Sequence, residues 1–268
     1  MNNTHFKLIA LDLDGTTIDR QLRLSDRNLK AIERVINEGV IVAVITGKMF
    51  AAALPIVHKF KGVSYLFASN GAHVYDMQAD QELISFPLPS AHMSYILATI
   101  EKHRALYRVY TRDAMFAAQD SHLVHSIQRD YPHLPVFVGS IPSDKIYYKI
   151  YVQDDDAKLT AIMEDLKAIP VQIHPSDNHN IEITNLQANK GEALRFLKQH
   201  LNIAKESVIA IGNHDNDLPM FAEAGYSVAV ENAPLYVQER ANMVTKHCEE
   251  DGVAHAIDVL FPLDINVT

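Results

Sequence analysis

Two carboxylates stand two residues apart in Ile9-Ala10-Leu11-Asp12-Leu13-Asp14-Gly15-Thr16-Thr17, at the end of an apolar run. Asp12 and Asp14 repel one another unless a hard cation sits among them. Mg²⁺ is the natural choice, because it takes oxygen ligands and retains several waters. Three further segments carry matching chemistry: Thr46-Gly47-Lys48, Asn189-Lys190-Gly191, and Asn213, Asp215 and Asp217 in GNHDND. These residue types suit phosphoryl transfer, which needs a nucleophile, an acid/base for the leaving oxygen and positive charge on the phosphoryl oxygens. A carboxylate serves as nucleophile by forming an aspartyl-phosphate. Lys190 supplies a fixed positive charge. Thr46 and the backbone amides of Gly15 and Thr16 are candidate donors to phosphate.

Such residues act together only if the chain gathers them. Phe6 to Leu13 is short, apolar and closed by Asp-Gly, which predicts a strand buried on both faces. Ser25 is a good N-cap. Leu29, Ile32, Val35 and Ile36 follow at helical spacing, and Gly39 is a stop signal. VIVAVITG is a second buried strand, a helix-like stretch from Met49 to Phe60 carries Pro55 as a kink or late start, and YLFASNGA is a third strand ending in a turn. The same texture returns after Gln187. NKGEALRFLKQHL is a helix, SVIAIGNHDND a buried strand ending in acids, LPMFAEAG a short helix and YSVAV a strand. PLYVQERA is a helix with proline at its start, and DGVAHAIDVLF is a last helix. Buried strands alternating with amphipathic helices predict an α/β fold with a doubly wound parallel sheet covered on both faces. Ligands of such sheets bind outside the carboxyl ends of the strands, where the four chemical segments fall.

The middle of the chain reads differently. Seven of the eleven tyrosines and half of the fourteen histidines lie between Leu83 and Gln187. KIYYKIYVQ, VQIHP and NIEIT alternate apolar and polar residues, and HPSDNHN is the expected hairpin turn between the last two. We expect an inserted α+β domain over 83–187, with 1–82 and 188–268 forming a discontinuous core. His174 and His179 flank PSDN without a recognisable ligand spacing. Tyr107, Tyr110, Tyr147, Tyr148 and Tyr151 are expected to pack the inserted sheet.

The 268-residue chain carries a formal net charge of −9 and no cluster of Lys and Arg, which argues against nucleic acid or an anionic membrane as partner. The single cysteine, Cys248, permits no internal disulfide and fits a reducing cytoplasm, and no base is expected beside it. No signal peptide and no membrane-spanning segment are expected, so the expected setting is cytoplasmic, as a monomer or homodimer.

DLDGT, ITGK, NKG and GNHDND, in this order, resemble the four motifs of the haloacid-dehalogenase superfamily of phosphatases. The insertion behind SNGA and the tail AGYSVAVENAPLYVQERANMVTKHCEEDGVAHAI are similar to the Cof-type subfamily, which carries a large α/β cap at that position. The resemblance spans roughly Lys7–Asp76 and Leu186–Leu260; the cap matches in position and length only. It implies a Rossmann-like core and a Mg²⁺-dependent hydrolase of small phosphate monoesters, with sugar phosphates as the first substrate class and flavin-precursor or pyridoxal phosphates as others. It implies that Asp12 attacks phosphorus and that Asp14 protonates the leaving alkoxide and then activates water. Asp12, the Asp14 carbonyl, Asn213 and Asp217 would hold or support Mg²⁺. Thr46 and Lys190 would bind the transferring phosphoryl group, and Gly15, Thr16, Gly47, Lys48, Asn70 and Asn216 would line the substrate side.

Two positions depart from the family pattern. Asn213 stands where an aspartate metal ligand is usual, so weaker Mg²⁺ binding, or compensation by Asp215 or Asp217, is expected. Lys48 stands where arginine is common, keeping the charge without the bidentate fork. The alternatives are a phosphomutase or phosphotransferase using the same site on a sugar acceptor, and a non-catalytic phospho-ligand binding protein. Phosphate release separates the first from a hydrolase. The presence of Asp12, Asp14 and Lys190 speaks against the second.

Overall fold

The computed structural model describes residues 5–175 and 179–262. The apolar run before Asp12 forms β1 (Leu8–Leu11), with all four residues buried. Helix α1 (Asp26–Asn37) starts where Ser25 caps it, its hydroxyl accepting from the Asn28 amide, and it buries Asn28, Ala31, Ile32 and Val35. Next come β2 (Ile41–Ile45), α2 (Phe50–Val57, with Pro55 inside it) and β3 (Tyr65–Ala68). Two short strands follow, β4 (His73–Asp76) and β5 (Gln81–Ser85).

The middle of the chain runs α3 (Ser90–Lys102), β6 (Leu106–Tyr110), β7 (Met115–Ala117), α4 (His122–Asp130), β8 (Val136–Val138), β9 (Lys149–Gln153), α5 (Asp156–Leu166), β10 (Val171–Pro175) and β11 (Asn180–Asn185). The last part runs α6 (Lys190–Leu201), β12 (Val208–Gly212), α7 (Leu218–Glu223), β13 (Tyr226–Val230), α8 (Leu235–Gln238), β14 (Met243–Thr245) and α9 (Gly252–Leu260).

By packing, the chain divides into two units. The first takes residues up to Gly47, Leu54–Ile84 and the chain from Asn189 onward. The second takes Lys48–Ala53 and Ser85–Ala188. The sequence places 48–53 with the first unit, whereas Met49 and Ala52 pack with Tyr110, Met115, Ala117 and Val124 of the second.

The first unit is built on an eight-stranded sheet of order β14-β13-β12-β1-β2-β3-β4-β5. From β14 to β3 every pairing is parallel. The sheet is an α/β sheet, but it is mixed rather than wholly parallel, because β3 pairs antiparallel with β4. Strands β4, β5 and β14 go beyond the sequence reading, and PLYVQERA is helical only over Leu235–Gln238. Leu8, Ala10, Ala43, Ile45, Phe67, Leu194, Leu197, Val208 and Ala210 share one core cluster. Removing each such Leu or Ile side chain from water stabilises the fold by about 2 kcal/mol.

The second unit holds a six-stranded sheet of order β10-β11-β9-β6-β7-β8, antiparallel except for β7–β8. One face, including Val109, Ile150, Val152, Ile181 and Ile183, packs with Ile96 and Ile100 of α3 and Leu159, Ile162 and Leu166 of α5. Tyr107, Tyr110, Tyr147 and Tyr148 are buried. Strands β10 and β11 form the expected antiparallel pair; Ser176 to Asn178 of its turn lie outside the described residues. Among the described residues no helix is long and apolar enough to cross a membrane.

Candidate active site

Three adjacent parallel strands end at one edge of the first unit. Leu11 of β1 is level with Ile211 of β12 and Val44 of β2. Asp12, Asn213 and Thr46 follow directly. The ladder continues one step past the strands, with the Asp12 amide donating to the Ile211 carbonyl (3.0 Å) and the Thr46 amide to Phe67 (2.8 Å). The residues that begin the site are thus held by the sheet itself.

Beyond Asp12 the chain winds into a tight turn. The Leu13 carbonyl accepts from the amides of Thr16 (3.2 Å), Thr17 (2.9 Å) and Ile18 (2.9 Å), while the Gly15 amide donates to Ile18 (2.9 Å). The Thr17 hydroxyl donates to the Asp12 carbonyl at 2.5 Å. The Gly15 and Thr16 amides, expected on the phosphate side, both take part in closing this turn. Gly15 has φ +68°, a region that strains most L residues, and a Cβ there would stand 2.7 Å from Asn213 Nδ2. The Asn213 carboxamide therefore lies against this turn, next in chain to the Asp14 carbonyl. Asp14 itself is exposed.

Lys190 opens α6, where Asn189 caps the helix by accepting from the Glu192 amide (2.8 Å). A cation at a helix N-terminus is unfavourable, so something must hold it there. Two carboxylates do: Lys190 Nζ lies 2.7 Å from Asp12 Oδ1 and 2.6 Å from Asp217 Oδ1. The lysine is 1% exposed and Asp217 0%. Burial pulls the ammonium toward neutrality, but Asp12 and Asp217 outweigh it and hold its pKa above the usual lysine value. Burial pushes the Asp12 carboxyl up to about 7 against the pull of Lys190, with Asp217 and Asp14 adding to the rise. One ammonium among three acidic groups leaves this site short of positive charge.

Asp217 is expected among the metal-supporting residues, yet its second oxygen is also committed. Oδ2 accepts from the amides of Asn213 (2.8 Å) and His214 (3.0 Å). The carboxylate folds back on its own loop and braces that loop and Lys190 together. Its approach requires Gly212, where a Cβ would meet Asp217 Cγ at 2.5 Å. Gly212→Ala is expected to destabilise the protein by about 2 kcal/mol through this clash and to loosen Lys190. Thermal melting together with a phosphate-release assay checks both effects.

Thr46 is fully buried, and its carbonyl accepts from the Asn70 amide at 2.9 Å. Asn70 adopts φ 59°, a left-handed conformation that asparagine tolerates. Its Oδ1 accepts from Asn216 Nδ2 at 3.0 Å, and a Cβ on Gly47 would lie 3.3 Å from that same Oδ1. Gly47, Asn70 and Asn216 therefore meet at the ends of β2, β3 and β12. Lys48 groups with the second unit, where its ammonium donates to the Tyr131 hydroxyl and lies 5.0 Å from that ring's centre. Asp215 is exposed.

The donor set suits a hard cation. Asp12 offers a carboxylate, Asp14 a backbone carbonyl and Asn213 an amide oxygen, all hard oxygen ligands, in surroundings where one ammonium faces three acidic groups. The set is poor in charge: among the described residues no three His, Cys, Asp or Glu side chains are disposed around one metal position.

Three residues that fix this geometry escape the sequence reading. Thr17, Asn28 and Asn232 all bond to backbone carbonyls of the Asp12–Thr17 segment. Asparagine and threonine carry no spacing signal for such a role; only the nearness of Thr17 to the first motif pointed to it. Cys248 also differs from expectation, since His247 Nδ1 lies 3.8 Å from its sulfur, although burial pushes the thiol pKa up.

The model of the haloacid dehalogenase-like hydrolase family matches residues 9–257. The 5-amino-6-(5-phospho-D-ribitylamino)uracil phosphatase YcsE of Bacillus subtilis is 29% identical over 255 residues, covering 94% of this chain and 94% of that protein. The HMP-PP phosphatase of Serratia proteamaculans is 26% identical, covering 93% of each chain. Among solved structures, a haloacid dehalogenase-like hydrolase from Bacteroides thetaiotaomicron matches with a TM-score of 0.84 at 22% identity, over 96% of this chain and 100% of that one.

Proposed function

Because the chain belongs to the haloacid dehalogenase-like hydrolases, we propose that it hydrolyses small phosphate monoesters through a phosphoryl group carried on Asp12, with Mg²⁺ as cofactor. The observation that carries this reading is Lys190 buried between Asp12 and Asp217 at the end of β1. A buried lysine so placed costs stability unless its charge is used. Here it opposes the burial that raises the Asp12 pKa and faces the charge that builds on phosphoryl oxygens.

The residues act in two displacements. In the first, an Asp12 oxygen attacks phosphorus, the bond from phosphorus to the ester oxygen breaks, and Asp14 gives its proton to the departing alkoxide. In the second, Asp14 takes a proton from water, the water oxygen attacks phosphorus, and the Asp12–phosphorus bond breaks to release phosphate. The exposure of Asp14 supports this role, since it must exchange protons with both leaving group and water. Thr46 and Lys190 orient the phosphoryl oxygens. Bound Mg²⁺ would neutralise phosphoryl charge and would be held by Asp12, the Asp14 carbonyl and Asn213.

For the substrate, the relative named for a ribitylaminouracil phosphate favours a phosphorylated metabolite bearing a uracil-type ring. Sugar phosphates are the second class. The test is phosphate release from a panel of sugar, nucleotide and cofactor monophosphates across a Mg²⁺ titration. Release that depends on Mg²⁺ supports the reading. A folded protein that releases none from any member at millimolar Mg²⁺ speaks for the mutase or binding-protein alternatives.

Asn213→Asp adds the missing negative charge beside Asp14. The concentration of Mg²⁺ giving half-maximal activity is expected to fall by about tenfold, because cation affinity follows ligand charge. An unchanged Mg²⁺ dependence would remove Asn213 from the ligand set.

A further inference from the structure

Asn232 and Asn28 grip the two ends of the Gly15–Thr17 turn, and each uses both ends of its carboxamide. Asn232 Nδ2 donates to the Gly15 carbonyl (2.7 Å) while its Oδ1 accepts from the Cys248 amide (2.9 Å). Asn28 Nδ2 donates to the Thr17 carbonyl (3.2 Å) while its Oδ1 accepts from the Ala254 amide (2.9 Å). Asn28 is 1% exposed, so its bonds are shielded from water. The turn that follows Asp12 is thereby tied to the segment that opens α9.

Peptide planarity converts these ties into control of direction. The peptide bonds of the turn are trans, so each N–H and the carbonyl before it point in opposite directions within one plane. The Gly15 amide is bound to the Ile18 carbonyl, which fixes the side to which the Asp14 carbonyl points. The next plane is held from both edges, by Asn232 on the Gly15 carbonyl and by Leu13 on the Thr16 amide. Gly15 has the greatest backbone freedom in the turn, and both peptide planes around it are pinned. Without Asn232 the second plane would lose its tie at the Gly15 carbonyl and keep the longer 3.2 Å bond from Thr16 to Leu13.

We propose that Asn232, seconded by Asn28, is a positioning residue that makes the C-terminal segment set the direction of the Asp14 carbonyl and side chain. This rests on the reading of Asp12 and Asp14 as the phosphoryl-transfer pair with a divalent cation beside them. The two asparagines touch neither substrate nor reacting atoms; they act through the turn.

The test compares Asn232→Ala and Asn232→Asp with the parent protein. Aspartate keeps the acceptor for Cys248 but cannot donate to Gly15. Binding of Mn²⁺ is measured calorimetrically without substrate, and kcat and KM are measured at temperatures well below each melting point. Asn232→Ala is expected to weaken Mn²⁺ binding and lower kcat by about tenfold each, with KM little changed, as is usual when a group that orients a ligand is lost. Asn232→Asp is expected to lower kcat similarly despite its added negative charge. Asn28→Asp supplies the same comparison at the other end if Asn232→Ala fails to fold. A folded variant that matches an active parent in Mn²⁺ affinity and kcat overturns the proposal and leaves the phosphatase reading intact. A parent that neither binds Mn²⁺ nor releases phosphate overturns both.

Discussion

Asp12→Asn is expected to lower phosphate release by about 10⁴-fold or more, the scale of loss seen when a nucleophile is removed from a site that works as a unit. The amide nearly matches the carboxylate in size but lacks its nucleophilicity. The loss is expected in kcat rather than KM, because Thr46 and Lys190 still receive the phosphoryl group. The protein should stay folded. Asp12 is 4% exposed and its carboxyl is already pushed up to about 7, so making the group neutral costs the fold little. Lys190 also keeps its second partner, Asp217, at 2.6 Å. Phosphate release and a melting curve on the same preparation separate loss of chemistry from loss of fold. A residual rate within about tenfold of the parent would take the nucleophile role away from Asp12.

Lys190→Met has the second large effect, and it strikes stability as well as rate. The lysine sits between two carboxylates that are themselves nearly inaccessible to water. Removing it leaves buried negative charge with no counter-charge at the centre, a loss of about 3 kcal/mol. The activity is expected to fall by about 10³-fold, since preorganised positive charge at the phosphoryl group is lost. The stability loss carries a sign in pH. Lys190 is what draws the Asp12 pKa down against burial, so without it that pKa rises further above the unfolded value near 4. The folded variant then binds more protons than the unfolded chain at neutral pH, and stability falls as pH rises through that window. The gap in melting temperature between variant and parent should therefore narrow from pH 8 to pH 5. A gap that widens on acidification would contradict the assignment of Lys190 as the counter-charge of Asp12.

The parts of this protein that are legible in its sequence are those where one physical demand dominates. Strands β1, β2, β3 and β12 are buried on both faces, so each reads as an apolar run, and the residue after each run is the one placed at the sheet edge. That is why Asp12, Thr46 and Asn213, spread over the chain, are recognisable as one group, while Lys190 is marked by the helix it opens. Strands β4 and β5 are less plain: HVYD and QELIS carry charged residues, and β5 is a partly exposed edge strand. Strand β14 has three residues, too few for any period. Roles that depend on which hydrogen bond wins are also hidden. Nothing local in the sequence shows that the Ile18 and Leu13 carbonyls bond the Gly15 and Thr16 amides. Nor does anything local show that Lys190, Asn213 and His214 bond both oxygens of Asp217. Asn232 lies 217 residues from the turn it holds, and no local pattern marks such a pair.

The central claim is that Asp12 carries the phosphoryl group, and borohydride trapping tests it most directly. Borohydride reduces an acyl phosphate to an alcohol and leaves free carboxylates alone, so a phosphorylated aspartate becomes homoserine. The protein is mixed with Mg²⁺ and the best substrate of the panel, quenched within a turnover, reduced, digested and analysed by mass spectrometry. The account predicts homoserine at position 12, absent without substrate and absent in Asp12→Asn. Homoserine at Asp14 or another aspartate, or none at all from protein caught during active turnover, would contradict it.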